Sequence, residues 1–156
     1  MSQHKTNALR TILVAGSIAG VLDLTAACVY SWLRAGVTPI RVFHSVASGL
    51  LGENAARGGW KTAALGIALH FLIATIWATI FYAASRIFKL LVNHPIPSGL
   101  FYGVVVYLLM NFVVLPLSAI PRRPVPPPLS ARIYGALIIM FFVGLPIAFT
   151  VRRFAR

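Results

Sequence analysis

Three polar side chains interrupt long apolar stretches of the sequence: Asp23, His70 and Asn111. A charged or strongly polar group at the centre of a membrane costs ~2.5–3.5 kcal/mol on insertion scales, so residues of this kind tend to serve a function. A carboxylate and an imidazole placed side by side can exchange a proton. The first chemistry that the residue types suggest is therefore proton exchange between Asp23 and His70.

Each of these polar residues shares a helical face with small residues, since the glycines precede it at helical spacing. The glycines concerned are Gly16, Gly20, Gly66, Gly99 and Gly103. Small residues are enriched where membrane helices pack against each other, so these faces should point into a helix bundle. The pattern predicts that Asp23, His70 and Asn111 converge in the interior of the bundle.

Convergence of the three residues has two interpretations. In the structural one, the groups hydrogen-bond to each other and fix the register of the helices, for ~0.6–2 kcal/mol each. In the functional one, Asp23 and His70 exchange or relay protons as part of an activity. The sequence weights the two equally, and replacement of Asp23 by asparagine would separate them.

The elements that must position these residues follow from composition. The chain has 156 residues, of which 59% are hydrophobic and only 10% charged, and this balance excludes both an ordinary soluble domain and a disordered chain. A helix needs ~20 apolar residues to cross a membrane. Four stretches meet this requirement, and they are about 9–33, 61–82, 98–119 and 131–151. The sequence predicts an all-α integral membrane protein, a four-helix bundle that forms one domain over residues 1–156.

A fifth, shorter helix is expected between the first two spans. Thr38 and Pro39 match a helix start, apolar residues follow at helical spacing, and Gly52 offers a stop. A helix over about 39–51 would be only ~20 Å long, too short to cross. It should lie at the membrane interface or dip in and return, with the interfacial position favoured.

Two prolines lie inside predicted spans and predict kinks there. Pro116 and Pro146 each remove a backbone hydrogen bond and free the carbonyl four residues earlier, at Phe112 and Phe142. A neighbouring helix is expected to satisfy the freed carbonyls.

The 14 Lys and Arg residues against 2 Asp and Glu give a net charge of +12. Most of these cations sit at the ends of apolar stretches, with Arg34, Lys61, Arg152 and Arg153 as examples. This placement is typical of anchors to anionic lipid head groups, and it disfavours nucleic acid as a partner. The cations divide equally between the two sides of the membrane, so the positive-inside rule gives a tie. The arginine pair near the end of the chain weakly favours both termini in the cytoplasm.

The remaining chemistry-bearing residues predict no catalytic site. One cysteine, Cys28, excludes a disulfide within one chain and a cysteine-based metal site. The sequence has no zinc-type spacing, nucleophile elbow or phosphate-binding loop. We therefore expect no cofactor and no metal, and an enzyme is disfavoured.

Four stretches of the sequence are informative together: Ser48–Gly52, Leu65–Phe71, Tyr107–Pro116 and Val143–Pro146. They resemble a set of small four-span bacterial inner-membrane proteins of no known activity. The likeness covers nearly the whole chain. It implies a four-helix bundle in the bacterial inner (cytoplasmic) membrane and supplies no function.

Two functions remain from the sequence. The first is a non-enzymatic interaction protein that self-associates as a homo-oligomer or serves as an accessory subunit of a membrane complex, as the small-residue faces suggest. The second is a small proton-linked transporter or channel that uses Asp23, His70 and Asn111. The first ranks slightly ahead, because a bundle of this size leaves room for few contacts with a solute.

Overall fold

The predicted all-α architecture is confirmed. A computed structural model describes the backbone of residues 2–121 and 126–155, and the side chains of residues 7–121 and 126–154. Within this part of the chain every regular element is a helix. Four helices are long and apolar enough to cross a membrane, namely Asn7–Ala35, Gly59–Ile87, Pro95–Leu117 and Leu129–Phe154. Each overlaps a predicted span, and the fold is that of a multi-pass membrane protein.

The described residues form eight α-helices, six of which build the spans, and three other helical turns. The first span belongs to α1 and the second is α3, while the third and fourth are each divided by a wider turn. The α-helices are α1 Ser2–Ala35, α2 Pro39–Leu51, α3 Gly59–Ile87, α4 Leu90–Asn93, α5 Pro95–Leu109, α6 Leu115–Leu117, α7 Leu129–Ile139 and α8 Leu145–Ala155. The other turns are a 3-10 helix over Gly52–Arg57 and π-helical turns over Met110–Val114 and Met140–Gly144.

The first span ends at a glycine that reverses the chain. Gly36 has a φ of +62°, a left-handed conformation that costs glycine nothing. Its N–H donates to the Trp32 carbonyl at 2.8 Å, and the next N–H, of Val37, donates to Ser31 at 3.3 Å. These two bonds satisfy carbonyls that the end of a helix leaves free. The chain can therefore turn within a few residues into α2.

The short helix occupies Pro39–Leu51, the range that the sequence indicates. Pro39 stands in its first turn, but the Thr38 side chain makes no capping hydrogen bond. The helix packs along the second span, where the Phe43 carbonyl lies directly over Gly66. Gly66 is ~10 Å along the second span from Gly59 at 1.5 Å per residue. The short helix is therefore part of the bundle, packed over the first turns of the second span.

The bundle core lies where the first, second and fourth spans meet, and Val106 joins it from the third. Small residues bring the helices together here, so alanines are prominent among the fully buried side chains. The buried members are Ala15, Ala19, Trp77, Ala78, Phe81, Val106, Val143, Ile147, Ala148 and Val151. The first span packs on the second and the fourth, and the fourth packs on the third.

Candidate functional site

The structure brings Asp23 and His70 together in the middle of the bundle. His70 Nε2 lies 3.8 Å from Asp23 Oδ2, and the two side chains are 14% and 20% exposed. They meet because the first and second spans pack closely: a side chain on Gly20 would fall 2.8 Å from the Phe71 ring. Close packing at Gly20 thus sets the distance between the carboxylate and the imidazole.

A backbone carbonyl holds the imidazole in place. His70 Nε2 lies 3.0 Å from the carbonyl oxygen of Gly20, within ordinary hydrogen-bond range. A carbonyl only accepts, so Nε2 carries the hydrogen, and in the neutral ring Nδ1 is then the basic atom. The orientation and the tautomer of His70 are both fixed by the first span, the helix that also carries Asp23.

The Asp23 carboxylate has room for a further partner. Its 3.8 Å separation from His70 Nε2 exceeds hydrogen-bond range. Among the side chains and backbone groups that the structure describes, none donates a hydrogen bond to this carboxylate. A charged group at membrane depth needs a counter-ion, a proton or a hydrogen-bond donor. The carboxylate is therefore arranged to accept a partner from the space beside it.

That space is a cavity of about 370 Å³. Its volume lies at the small end of the ~300–1,000 Å³ range of ligand pockets. The wall is mostly apolar, and the polar side chains on it are those of Asp23, His70, Ser45 and Ser118. Trp77 adds an aromatic ring to the wall. Few polar groups in an apolar wall are typical of a site for a small organic molecule.

The cavity lies between the second and third spans, which face each other across it. Leu69, Ile73 and Trp77 line it from the second span, and Val106 and Met110 from the third. At one end the two spans are joined directly: the Tyr102 hydroxyl donates to the Trp77 carbonyl at 2.6 Å. The Tyr102 ring also packs edge-on against Phe81, with ring centroids 4.9 Å apart. This contact joins the two spans beside Trp77, at one end of the cavity.

The short helix α2 lines the other end of the cavity. Ser45, Val46 and Gly49 of α2 line the cavity. The Ala119 N–H donates to the Gly49 carbonyl at 2.9 Å, which ties the end of the third span to α2. The second span holds α2 through Gly66, so α2 bridges the two helices that flank the cavity.

Asn111 does not join Asp23 and His70, and the expectation of a three-residue cluster needs correction on this point. Its side chain is exposed, lies outside the cavity lining, and donates to the Tyr107 carbonyl of its own helix at 2.9 Å. Eight residues of α-helix turn ~80° beyond two full turns, so Asn111 is already rotated away from the face that Gly103 defines. It also lies within the wider turn over Met110–Val114.

The five glycines predicted for helix packing are all buried at helix contacts. Gly16 and Gly20 of the first span face Thr75 and Phe71 of the second, and Gly66 faces the short helix. Gly99 and Gly103 face the fourth span, where a side chain on Gly103 would collide with the backbone of Met140. The glycines therefore hold together two helix pairs, and the cavity lies between those pairs.

The two prolines follow wider turns that the kink prediction did not specify. Pro116 comes after the π-helical turn over Met110–Val114, and Pro146 after the one over Met140–Gly144. At the end of each turn a backbone hydrogen bond reaches back five residues. The Leu115 N–H donates to the Met110 carbonyl, and the Leu145 N–H donates to the Met140 carbonyl. Such turns are rare and frequent at functional sites. Here both adjoin the cavity, because Met110 and Val114 line it from one and Val143 from the other.

A sequence signal for these turns exists. The pattern Met-x-Phe-Val-x-Leu-Pro occurs at 110–116 and again at 140–146. Sequence reasoning treated the two prolines separately and missed the shared pattern. It also missed Trp77, Tyr102 and the short helix as parts of the site.

The four predicted head-group anchors lie near span ends. Arg34 donates to the Tyr30 hydroxyl at 3.2 Å and to Ser130 Oγ at 3.4 Å. Lys61 and Arg153 are exposed, and Arg152 is half-buried. Arg34 thus also links the end of the first span to the start of the fourth.

Fold and site together define a class: a four-span α-helical membrane protein with a carboxylate–imidazole pair on a partly open cavity between its spans. Comparisons of the chain with models of protein families, with curated proteins and with solved structures found no match.

Proposed function

We propose that this protein is a proton-linked carrier of small, largely apolar organic cations. The observation that carries the proposal is the cavity beside Asp23, with an apolar wall, one carboxylate and one aromatic ring. A carboxylate attracts a cation, Trp77 can contribute a cation–π contact, and the apolar wall favours an organic ion over a hydrated metal ion. The proposal gives Asp23 and His70 roles and gives none to Asn111.

The exchange would take place on one carboxylate. When Asp23 carries a proton, the carboxyl group is neutral and has no attraction for a cation. When the cation binds, the carboxylate releases that proton and the proton leaves the site; the His70 ring, 3.8 Å from Asp23 Oδ2, is placed to relay it. A site that holds either a proton or a cation couples the movement of the two in opposite directions.

The test uses purified protein in proteoliposomes with an imposed pH gradient and benzyltrimethylammonium as the probe. This probe is a quaternary cation without an exchangeable proton, so it cannot follow the pH gradient as a weak base does. We expect gradient-driven uptake with the natural chain and loss of at least tenfold with Asp23→Asn. Glu53→Gln is the matched control, since Glu53 is an exposed acid in the first connection and should be dispensable.

Two outcomes would overturn the proposal. One is the absence of both gradient-driven uptake and calorimetric binding of the probe by the natural chain. The other is undiminished uptake by a folded Asp23→Asn variant, because the carboxylate would then have no part in transport. Size-exclusion chromatography in detergent shows whether each variant is folded.

A second candidate function, an interaction protein or accessory subunit, rests on Asn111. An exposed amide in a membrane span is costly unless another helix supplies a partner, so the third span offers a surface for a second copy or for a larger complex. A monomer in mild detergent whose size does not change with Asn111→Leu would count against this function. An oligomer that dissociates on the same substitution would support it.

For location we propose the bacterial inner membrane, with both termini in the cytoplasm. The resemblance described above supports the membrane, and the arginine pair Arg152 and Arg153 supports the orientation. The partners expected in this setting are anionic lipid head groups rather than nucleic acid.

A further inference from the structure

A second groove lies on the outer surface of the bundle, between the first and fourth spans. It has a volume of about 440 Å³. Its lining residues are Arg10, Val14, Ile18, Phe149, Thr150, Arg153 and Phe154. Neither Asp23 nor His70 borders this groove, which is therefore separate from the cavity.

The groove is charged at one end and apolar along its length. Arg10, Val14 and Ile18 form a stripe at four-residue spacing on α1, ~12 Å long at 1.5 Å per residue. On α8, which runs antiparallel, Phe149 lies beside the inner part of this stripe and Arg153 toward the outer end. Both guanidinium groups are therefore at the membrane surface, and the apolar side chains extend inward from them.

The arginine end is built to hold an anion. Arg10 and Arg153 are both exposed, and the Arg10 guanidinium lies 5.6 Å from the centroid of the Phe154 ring, which restricts its position. The chain has only two acidic side chains, Asp23 in the cavity and Glu53 in the first connection on the opposite side. Neither can neutralise this arginine pair. Guanidinium groups bind phosphate with paired hydrogen bonds, so a phosphate oxyanion fits this end.

We infer that this groove binds one anionic phospholipid, with its phosphate between Arg10 and Arg153 and an acyl chain along Val14, Ile18 and Phe149. The order of charge and apolar surface matches a lipid in the leaflet, since the head group lies outermost and the chain points to the membrane centre. A free phosphate would use only the arginines and would leave the apolar side chains Val14, Ile18 and Phe149 uncovered. The apolar stripe therefore favours a lipid over a soluble anion.

Thermal unfolding of the purified protein in a neutral detergent tests this site. We expect phosphatidylglycerol to raise the unfolding temperature and phosphatidylcholine to leave it nearly unchanged. The double variant Arg10→Gln/Arg153→Gln should bind phosphatidylglycerol about thirtyfold more weakly, on the usual contribution of two arginines to anionic-lipid attraction. The matched control is Arg86→Gln/Lys89→Gln, which removes two exposed cations on the same side of the bundle but outside the groove.

Further measurements separate the alternatives. Glycerol 3-phosphate carries the anion without acyl chains, and it should not stabilise the protein; stabilisation equal to that by the lipid would overturn the lipid assignment. If the double variant and its control lost equal affinity for phosphatidylglycerol, net charge alone would explain the binding, and the proposed site would be wrong. Phosphatidylglycerol with a photoreactive acyl chain needs no variant, and it should label the segments around Ile18 and Phe149. Labelling spread evenly over all spans would contradict the inference.

Discussion

Gly20 affects both the packing of the first two spans and the position of His70. Its missing side chain lets the second span approach, and its carbonyl then holds His70 Nε2 at 3.0 Å. Asp23 lies one turn further along the same helix and faces the cavity. Any side chain at position 20 would therefore act on the site as well as on the fold. A substitution of Gly20 therefore cannot separate a structural role of the Asp23–His70 pair from a functional one.

Gly66 allows a sharper test of close packing at the scale of one residue. A methyl group at this position would collide with the Phe43 carbonyl and lie 3.3 Å from the Ala47 nitrogen, both of which are backbone atoms. Backbone cannot move aside as a flexible side chain can, so Gly66→Ala should destabilise the protein by ~1–3 kcal/mol. Unfolding in mixed micelles with increasing sodium dodecyl sulfate measures this change.

The control for that substitution is Gly135→Ala in the fourth span. The closest atom to a methyl group there is Tyr107 Cε2 at 3.5 Å, an ordinary van der Waals contact. We expect this variant to unfold within ~0.5 kcal/mol of the natural chain. If Gly66→Ala were equally harmless, α2 would not be held by the contact at Phe43.

At the scale of elements, the sequence predicts some features well and others poorly. The long apolar stretches determine the four spans because a helix must match the membrane thickness, and this requirement is largely independent of packing. The convergence of Asp23 and His70 was also predictable, because glycines at helical spacing mark the contact face of each span. The positions of the spans and the convergence of Asp23 and His70 both follow from the regular geometry of a single helix.

Spacing within one helix fails for Asn111 and for the contacts between helices. Asn111 was assigned to the interior face by counting eight residues from Gly103, but eight residues already rotate it by ~80°, and the count also enters the wider turn at Met110. The Tyr102 hydroxyl donates to the Trp77 carbonyl beside the cavity, a contact between two spans that no spacing within one helix encodes. The lining of the cavity depends on how helices sit beside each other, which the sequence pattern alone does not specify.

The wider turn in the fourth span leads to a prediction about deletions of single residues. A π-helical turn contains one residue more than an α-helical turn, so deletion of Phe142 can restore a regular helix and keep α8 in its present orientation. Deletion of Phe149 has no such compensation, and it rotates the following residues by ~100°. Val151, which is 0% exposed, would then leave the core.

We therefore expect the protein without Phe142 to fold and to unfold at nearly the natural temperature. The protein without Phe149 should lose ~1.5–3 kcal/mol for Val151 alone, and its yield as a single species in detergent should fall. The two deletions remove the same type of partly exposed residue from one span, so they are matched. Equal damage from both would show that the wider turn at Met140–Gly144 is itself required.

At the scale of the whole molecule, the bundle is two helix pairs that share a core through the first and fourth spans and have a cavity between the second and third. Glycines hold the first span to the second and the third to the fourth. The second and third spans are joined across the cavity at its ends, by Tyr102 and by the short helix. A carrier must expose its site to each side in turn. The first and fourth spans stay packed in the core, so such a movement would have to open the bundle between the second and third spans.

Orientation in the membrane is the last property of the whole molecule that can be tested. Because Lys and Arg divide equally between the two sides, a small change in their number should have a large effect on insertion. We start from Cys28→Ser and place single cysteines by Asn54→Cys in the first connection and Phe88→Cys in the second. In intact cells an impermeant maleimide should label Asn54→Cys and leave Phe88→Cys protected.

Removal of cations from the cytoplasmic side should then weaken this preference. With Arg86→Gln/Lys89→Gln added, part of the Phe88→Cys population should become labelled, because the charge balance now favours the opposite orientation. The mirror-image change, Arg57→Gln/Lys61→Gln, removes two cations from the other side and should keep Phe88→Cys protected. Labelling of both cysteines in the starting protein would show insertion in both orientations, and the proposed cytoplasmic location of the termini would then be wrong. If neither double change alters the labelling, orientation is determined by the packing of the helices rather than by the charges at their ends.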